Sequence, residues 1–276
     1  MNTVLNMSRK KRLIIPIFIP FAGCPNRCVF CDQEGITGDT QMPSVSAVVS
    51  TIEGYLATWK GAGALAREAA FYGGSFTALP REAQRRYLEA AFRYVNSGAI
   101  DSLRVSTRPD CVSGETVEFL RAYGVKTVEI GVQSMSEEVL RLSGRGHGAK
   151  DSIRAVRLLK KHEVAAGVQF MPGLPGDTEA TIIKTAEEVI ALRPDFARVY
   201  PALVLKGTAL HRMFLAGQYA PWPLDEMVRV CKRISALFSR SGIPIIRMGL
   251  HPTPGLERNI VAGPYHPSFR QLVDRP

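Results

Sequence analysis

Cys24, Cys28 and Cys31 lie in the run Phe21-Ala-Gly-Cys-Pro-Asn-Arg-Cys-Val-Phe-Cys-Asp32, spaced C-x3-C-x2-C directly after an apolar segment. Thiolates are soft ligands suited to iron–sulfur clusters and to zinc. A four-iron cluster that only relays electrons takes four cysteines. Three cysteines on one short loop hold three irons and leave the fourth open to bind and reduce a small molecule. Cys111 and Cys231 are distant in the chain, and none of His147, His162, His211, His251 and His266 is near the triplet. A closed structural zinc site would need one of those distant histidines as its fourth ligand. The residues alone leave that alternative standing.

The elements that must position this loop show in the alternation of short β-rich runs with helical periodicity. Strands are expected at Ile14–Ile19, Ala69–Tyr72, Leu103–Ser106, Thr127–Val132, Ala165–Met171 and Phe196–Pro201. Helices are expected at Val45–Trp59, with Ser44 as N-cap, and at Arg81–Val95, Gly114–Ala122, Ala149–His162 and Glu179–Leu192. Two further helices, near Leu210–Ala216 and Leu224–Ser239, precede an apolar run Pro244–Met248. Six strand–helix units imply an α/β fold, a partial (β/α)6 TIM-like barrel with a short C-terminal extension; a doubly wound sheet would show the same alternation. The expected organisation is a basic N-terminal tail over 1–12, a core barrel over 13–208 and a helical extension with room for an extra strand over 209–276.

Polar and glycine-rich groups follow the strands, where β/α barrels build their active face. Gly73 and Gly74, with Ser75 beside them, let backbone approach a ligand closely, or simply make a tight turn. Arg108 in Ser106-Thr-Arg-Pro-Asp110 can grip a carboxylate with two parallel bonds, or form a surface ion pair while Asp110 opens the next helix. Gln133, ending Glu129-Ile-Gly-Val-Gln-Ser134, offers a donor and an acceptor without charge, as a zwitterionic ligand requires, or is a buried sheet-end amide. His147 in Arg145-Gly-His147 is a proton carrier or a loop anchor. The run Gln169-Phe-Met-Pro-Gly-Leu-Pro-Gly-Asp177 has an irregular backbone able to line an adenine ring, or is an ordinary loop in which Asp177 or Thr178 caps the next helix. Tyr200 and Lys206 follow the sixth strand as candidates for substrate contact.

Together these runs resemble the radical S-adenosylmethionine (SAM) superfamily. The triplet, with Phe30 before its last cysteine, resembles that family's signature. Gly73-Gly74-Ser75 resembles its Gly-Gly-Glu-type segment, with serine as in the elongator catalytic-subunit group. Gly131-Val-Gln-Ser134 and Arg145-Gly-His147 resemble segments of coproporphyrinogen-dehydrogenase and elongator-type enzymes. Ile260-Val-Ala-Gly-Pro-Tyr-His-Pro267 resembles the segment after the core in bacterial elongator-like members. The resemblance implies a [4Fe-4S] cluster on Cys24, Cys28 and Cys31, with the SAM amino and carboxylate groups on the open iron. One electron then cleaves SAM to methionine and a 5′-deoxyadenosyl radical, which abstracts hydrogen. It places Gly73, Gly74, Ser75, Arg108 and Gln133 at SAM and Met171 at the adenosine, and assigns no separate catalytic residue. It also implies an external one-electron donor of flavodoxin or ferredoxin type. Two departures stand out. The full elongator subunit has a longer cysteine spacing and an acetyltransferase domain, neither of which occurs in these 276 residues. Bacterial relatives also run beyond the His266-Pro-x-Phe segment, so a short further piece is expected after Pro276.

The formal net charge of +10 favours a polyanionic partner such as RNA. The cations are spread over Arg9–Arg12, Arg81–Arg86, Arg141–Arg145 and Arg154–Lys161, the last reading as the solvated face of a helix. No apolar run is long enough to span a bilayer, and Leu13–Phe21, interrupted by Pro16 and Pro20, reads as a buried strand rather than a signal peptide. Five cysteines without even pairing point to a reducing compartment, and the cytoplasm is expected. Three functions fit: a radical SAM enzyme acting on tRNA, a porphyrin-type small-molecule oxidoreductase, and a non-catalytic cluster- or haem-binding module.

Overall fold

A computed structural model describes residues 12–19, 23–32, 42–59 and 65–275, so residues 1–11 of the expected basic tail lie outside the described residues. The chain runs β1 (Arg12–Ile19), α1 (Val45–Thr58), β2 (Ala66–Gly73), α2 (Arg81–Asn96), β3 (Ser102–Thr107), α3 (Gly114–Ala122), β4 (Val125–Gln133), α4 (Glu137–Leu142), α5 (Ala149–Lys161), β5 (Ala165–Phe170) and α6 (Glu179–Ala191). It continues through β6 (Phe196–Val199), β7 (Val204–Leu205), α7 (Ala209–Leu215), α8 (Leu224–Arg240), β8 (Ile245–Met248), α9 (Pro254–Asn259), β9 (Ile260–Ala262) and α10 (Phe269–Asp274). The parallel sheet follows the order β1-β2-β3-β4-β5-β6-β8 and curls into a half-barrel. The expected partial barrel is therefore present, with the apolar run before Met248 supplying a seventh strand beside β6. β7 and β9 pair antiparallel in a separate ribbon. Neither that ribbon nor α4 was expected, since two to six residues are too few to display a period.

Local chemistry sets the helix starts. Ser44, Ser113, Ser136, Thr178 and Thr208 each accept a backbone N–H from the first turn of the helix they precede, satisfying donors that the helix leaves unpaired. Gly124 stops α3 at φ +75°, and its N–H donates to the Arg121 carbonyl.

The two faces of the sheet differ. Leu103 and Val105 of β3, Val128, Ile130 and Val132 of β4, and Val168 and Phe170 of β5 are buried in one core with the helices. The alternate positions carry Glu68, Arg104, Glu129, Gln169 and Arg198. Arg104 donates to both Glu68 and Glu129, Arg198 pairs with Glu129 at 2.7 Å, Arg12 reaches Glu68 at 3.0 Å, and the Tyr72 hydroxyl donates to Glu129. A parallel sheet covered on both faces reads apolar throughout. Here the inner wall is a charged ladder in which each buried ion meets an opposite one, the form a cavity for polar ligands takes.

Candidate active site

The cysteine loop leaves β1 at the C-terminal end of the sheet and is held from several sides. Cys24 Sγ lies 3.3 Å from Ser75 Oγ, just beyond β2. Gly23 packs so tightly that a Cβ there would lie 2.3 Å from the Ser75 carbonyl oxygen, and its φ is +75°. The Val29 N–H donates to the Ser143 carbonyl at the end of α4, and the Leu210 N–H of α7 donates to the Val29 carbonyl. Cys28 Sγ accepts Arg145 Nη1–H at 3.0 Å, while Arg145 Nη2 donates to the Gly131 carbonyl of β4. Burial, then the charges of Cys28 and Cys24, push the Cys31 thiol up to about 12. Three soft sulfurs crowded on one loop, with the Cys31 proton held on by burial and by its neighbours, are a donor set that a bound cationic centre would relieve.

The residues expected at the other strand ends gather around this loop. Gly73 sits at φ +103° against Ile19, and the Gly74 N–H donates to the Ile19 carbonyl at 2.7 Å, tying β2 to the root of the cysteine loop. Arg108 is engaged: it grips both carboxylate oxygens of Asp110 at 3.0 Å and donates to the Arg145 carbonyl. Its Nη1 is buried with no hydrogen-bond partner. Gln133 adopts φ +66° and exchanges amide bonds with Gln169, at 2.8 and 3.2 Å. Met171 donates its N–H to the Gln133 carbonyl, and its side chain packs with Val139, Leu174 and Ala202 against Phe30 and Tyr200. His147 accepts Arg145 Nε–H through Nε2 at 3.1 Å. Burial, then the Arg145 charge, push it down to about 4, so it is neutral and anchors the loop. Lys206 is exposed on the turn before α7.

Three contributors escape sequence reading. Arg145 was visible only as part of a tripeptide, and its contact with Cys28 spans 117 positions. Gln169 matters through its pairing with Gln133. The Arg104–Glu129–Arg198 ladder did leave a signal, because charged residues inside otherwise apolar strand runs must face something polar. Cys111, distant in sequence, lies close enough to Cys24 for that charge to help raise its thiol, after burial and Asp110.

Among the described residues no three His, Cys, Asp or Glu side chains group as ligands of a single metal ion. Zinc needs four ligands on one centre, whereas a four-iron cube gives each thiolate its own iron and spreads the sulfurs apart. The loop therefore fits the cluster better than zinc. A curled parallel sheet whose thiol loop, glycine turn and amide pair meet at the C-terminal strand ends defines a half-barrel metalloenzyme. The radical SAM superfamily profile matches residues 18–189, and that of the Radical_SAM C-terminal domain matches 194–275. The chain belongs to the radical SAM superfamily and is an enzyme of that family, which uses a [4Fe-4S] cluster and SAM. It is 27% identical over 255 residues to a tRNA uridine(34) acetyltransferase of Methanocaldococcus infernus, covering 79% of this chain and 48% of that protein. The chain thus spans about half the length of that relative. Its fold matches M. infernus Elp3 lacking residues 1–46 (TM-score 0.74, 22% identity, 96% of this chain and 62% of that one). It also matches coproporphyrinogen III oxidase, HemN, of Escherichia coli (TM-score 0.62, 18% identity, 87% and 55%).

Proposed function

We propose that this chain is a tRNA-directed radical SAM enzyme in which Cys24, Cys28 and Cys31 hold three irons and Gly73, Gly74, Ser75, Arg108, Gln133 and Met171 bind SAM. The observation that carries the site is the junction of the cysteine loop with Ser75 on one side and Arg145 on the other. When bound, the cluster and SAM supply reductive cleavage and hydrogen abstraction. The chain positions and shields them. Arg145 sets a positive charge 3.0 Å from the Cys28 sulfur, a charge-assisted N–H···S contact that holds that part of the loop in place. The unpartnered Nη1 of Arg108 is the donor left for a carboxylate. The Gln133–Gln169 pair presents neutral amide groups, and the apolar cluster around Met171 keeps water from the adenosine side.

The substrate reading rests on the relative named for tRNA uridine(34) and on the net charge of +10. A second reading, a carboxylate-bearing small molecule of porphyrin type, is favoured by the inner wall. There Arg247 of β8 is exposed and in register with Arg198 of β6. In both readings the core over 13–208 holds SAM, and the extension over 209–276 completes the wall through β8. Among the described residues no helix is long and apolar enough to cross a membrane. The reducing cytoplasm is the compartment proposed. Anaerobic incubation with SAM, dithionite and total tRNA is expected to yield 5′-deoxyadenosine and a new modified nucleoside by mass spectrometry. Turnover of a porphyrin precursor, with tRNA unchanged, would select the second reading.

A further inference from the structure

Helix α5 carries Lys150, Arg154, Arg157 and Lys161, all exposed, at spacings of four, three and four residues. That spacing sets them in one stripe about 16 Å long. Arg154 pairs with Asp151 at 3.0 Å, whereas among the described residues no ion pair engages Lys150, Arg157 or Lys161. Like charges three and four residues apart repel one another. Ile153 and Leu158 lie half-buried beside the cations. Two open grooves of about 550 Å³ each share Arg154 and Leu158. The wall of the second groove includes Asp110, which Arg108 grips while also bonding the Arg145 carbonyl. Arg145 in turn donates to Cys28. The second groove, which Arg154 and Leu158 share, is thus linked to Cys28 through Asp110, Arg108 and Arg145.

We propose that this face docks the acidic one-electron carrier protein that reduces the cluster, an inference that rests on the radical SAM reading above. An apolar floor rimmed by cations is the make-up of a protein interface. An RNA backbone would engage the cations but would leave Ile153 and Leu158 uncovered. On transfer the carrier loses one electron and the cluster gains it, with no bond formed or broken. Opposite charges steer the encounter and make it salt-sensitive.

The test compares the wild type with Arg154→Glu/Arg157→Glu, with the milder Lys150→Gln/Lys161→Gln, and with Arg85→Glu/Arg86→Glu on α2, which reverses the same charge elsewhere. Helix content is checked by circular dichroism. Binding of a purified acidic flavodoxin to the cluster-free chain is measured by calorimetry at low and high salt, and SAM cleavage is driven by reduced flavodoxin or by dithionite. On the order of a tenfold weaker Kd and slower flavodoxin-driven cleavage are expected in both α5 variants. Dithionite-driven cleavage should be unchanged, and the α2 control should match wild type. Equal flavodoxin affinity in wild type and α5 variants overturns the proposal, as does loss of tRNA retention with flavodoxin binding intact. Absence of dithionite-driven cleavage in the wild type would overturn the family reading instead, and the binding measurement still decides the docking face.

Discussion

At the scale of single residues, the candidate site depends on holding three cysteine sulfurs together on one short loop. Cys28 has the best-defined support, since Arg145 donates to it while being fixed by Gly131 and His147. Anaerobically reconstituted wild type should hold about four irons per chain. Cys28→Ala should lose iron and dithionite-driven SAM cleavage together, as read by iron assay and nucleoside chromatography. His147 gives a pH prediction. Its native value near 4 lies below the ordinary 6.5, so between those values the unfolded chain binds a proton that the native chain refuses. Stability should therefore rise with pH across that window and level off above about 6.5. His147→Gln should flatten the acid side of a urea-midpoint profile. The cysteines and the strand-end residues Gly73, Arg108, Gln133 and Met171 stand out in the sequence as candidates because each has a distinctive type in a distinctive place. Their partners do not, because Arg145 touches Cys28 only after four strands have been laid side by side.

At the scale of elements, short segments carry the precision. The loop is captured by the end of α4 through Ser143, by α7 through Leu210, and by the turn after β2. Gly23 shows how little slack remains. An alanine there incurs about 1–2 kcal/mol for the left-handed backbone and a clash with the Ser75 carbonyl. Gly98 has a similar φ of +74° with nothing within 4 Å, so Gly98→Ala incurs only the backbone term. Thermal melting should show the larger loss for Gly23→Ala, and iron retention should fall in that variant alone. Long elements such as α2, α5 and α6 were legible from periodicity and caps. α4 and the β7–β9 ribbon were not, although α4 supplies the Ser143 contact, because their formation depends on neighbours rather than on their own pattern.

At the scale of the whole molecule, the ion ladder of the inner wall joins β1, β2, β3, β4 and β6. Glu129 is 5% exposed and meets Arg104 and Arg198. Glu129→Ala should destabilise by about 3–5 kcal/mol, because it strands buried positive charge. Glu129→Leu/Arg198→Met should recover much of that loss, and chemical denaturation of the full cycle would give the coupling directly. Additive losses would show that the ladder is not a unit.

The sequence by itself determined the soft thiol donor set and the strand–helix order of an α/β fold, because ligand type, spacing and hydrophobic period are local properties; the closing of that order into a half-barrel rather than a doubly wound sheet came from the tertiary structure. Only the tertiary structure decided what surrounds the sulfurs. Arg145 beside Cys28, the Gln133–Gln169 pair, the commitment of Arg108 to Asp110 and the charged inner wall all join positions far apart in the chain. Sheet pairing and curvature bring such positions together, and neither is written in any single segment.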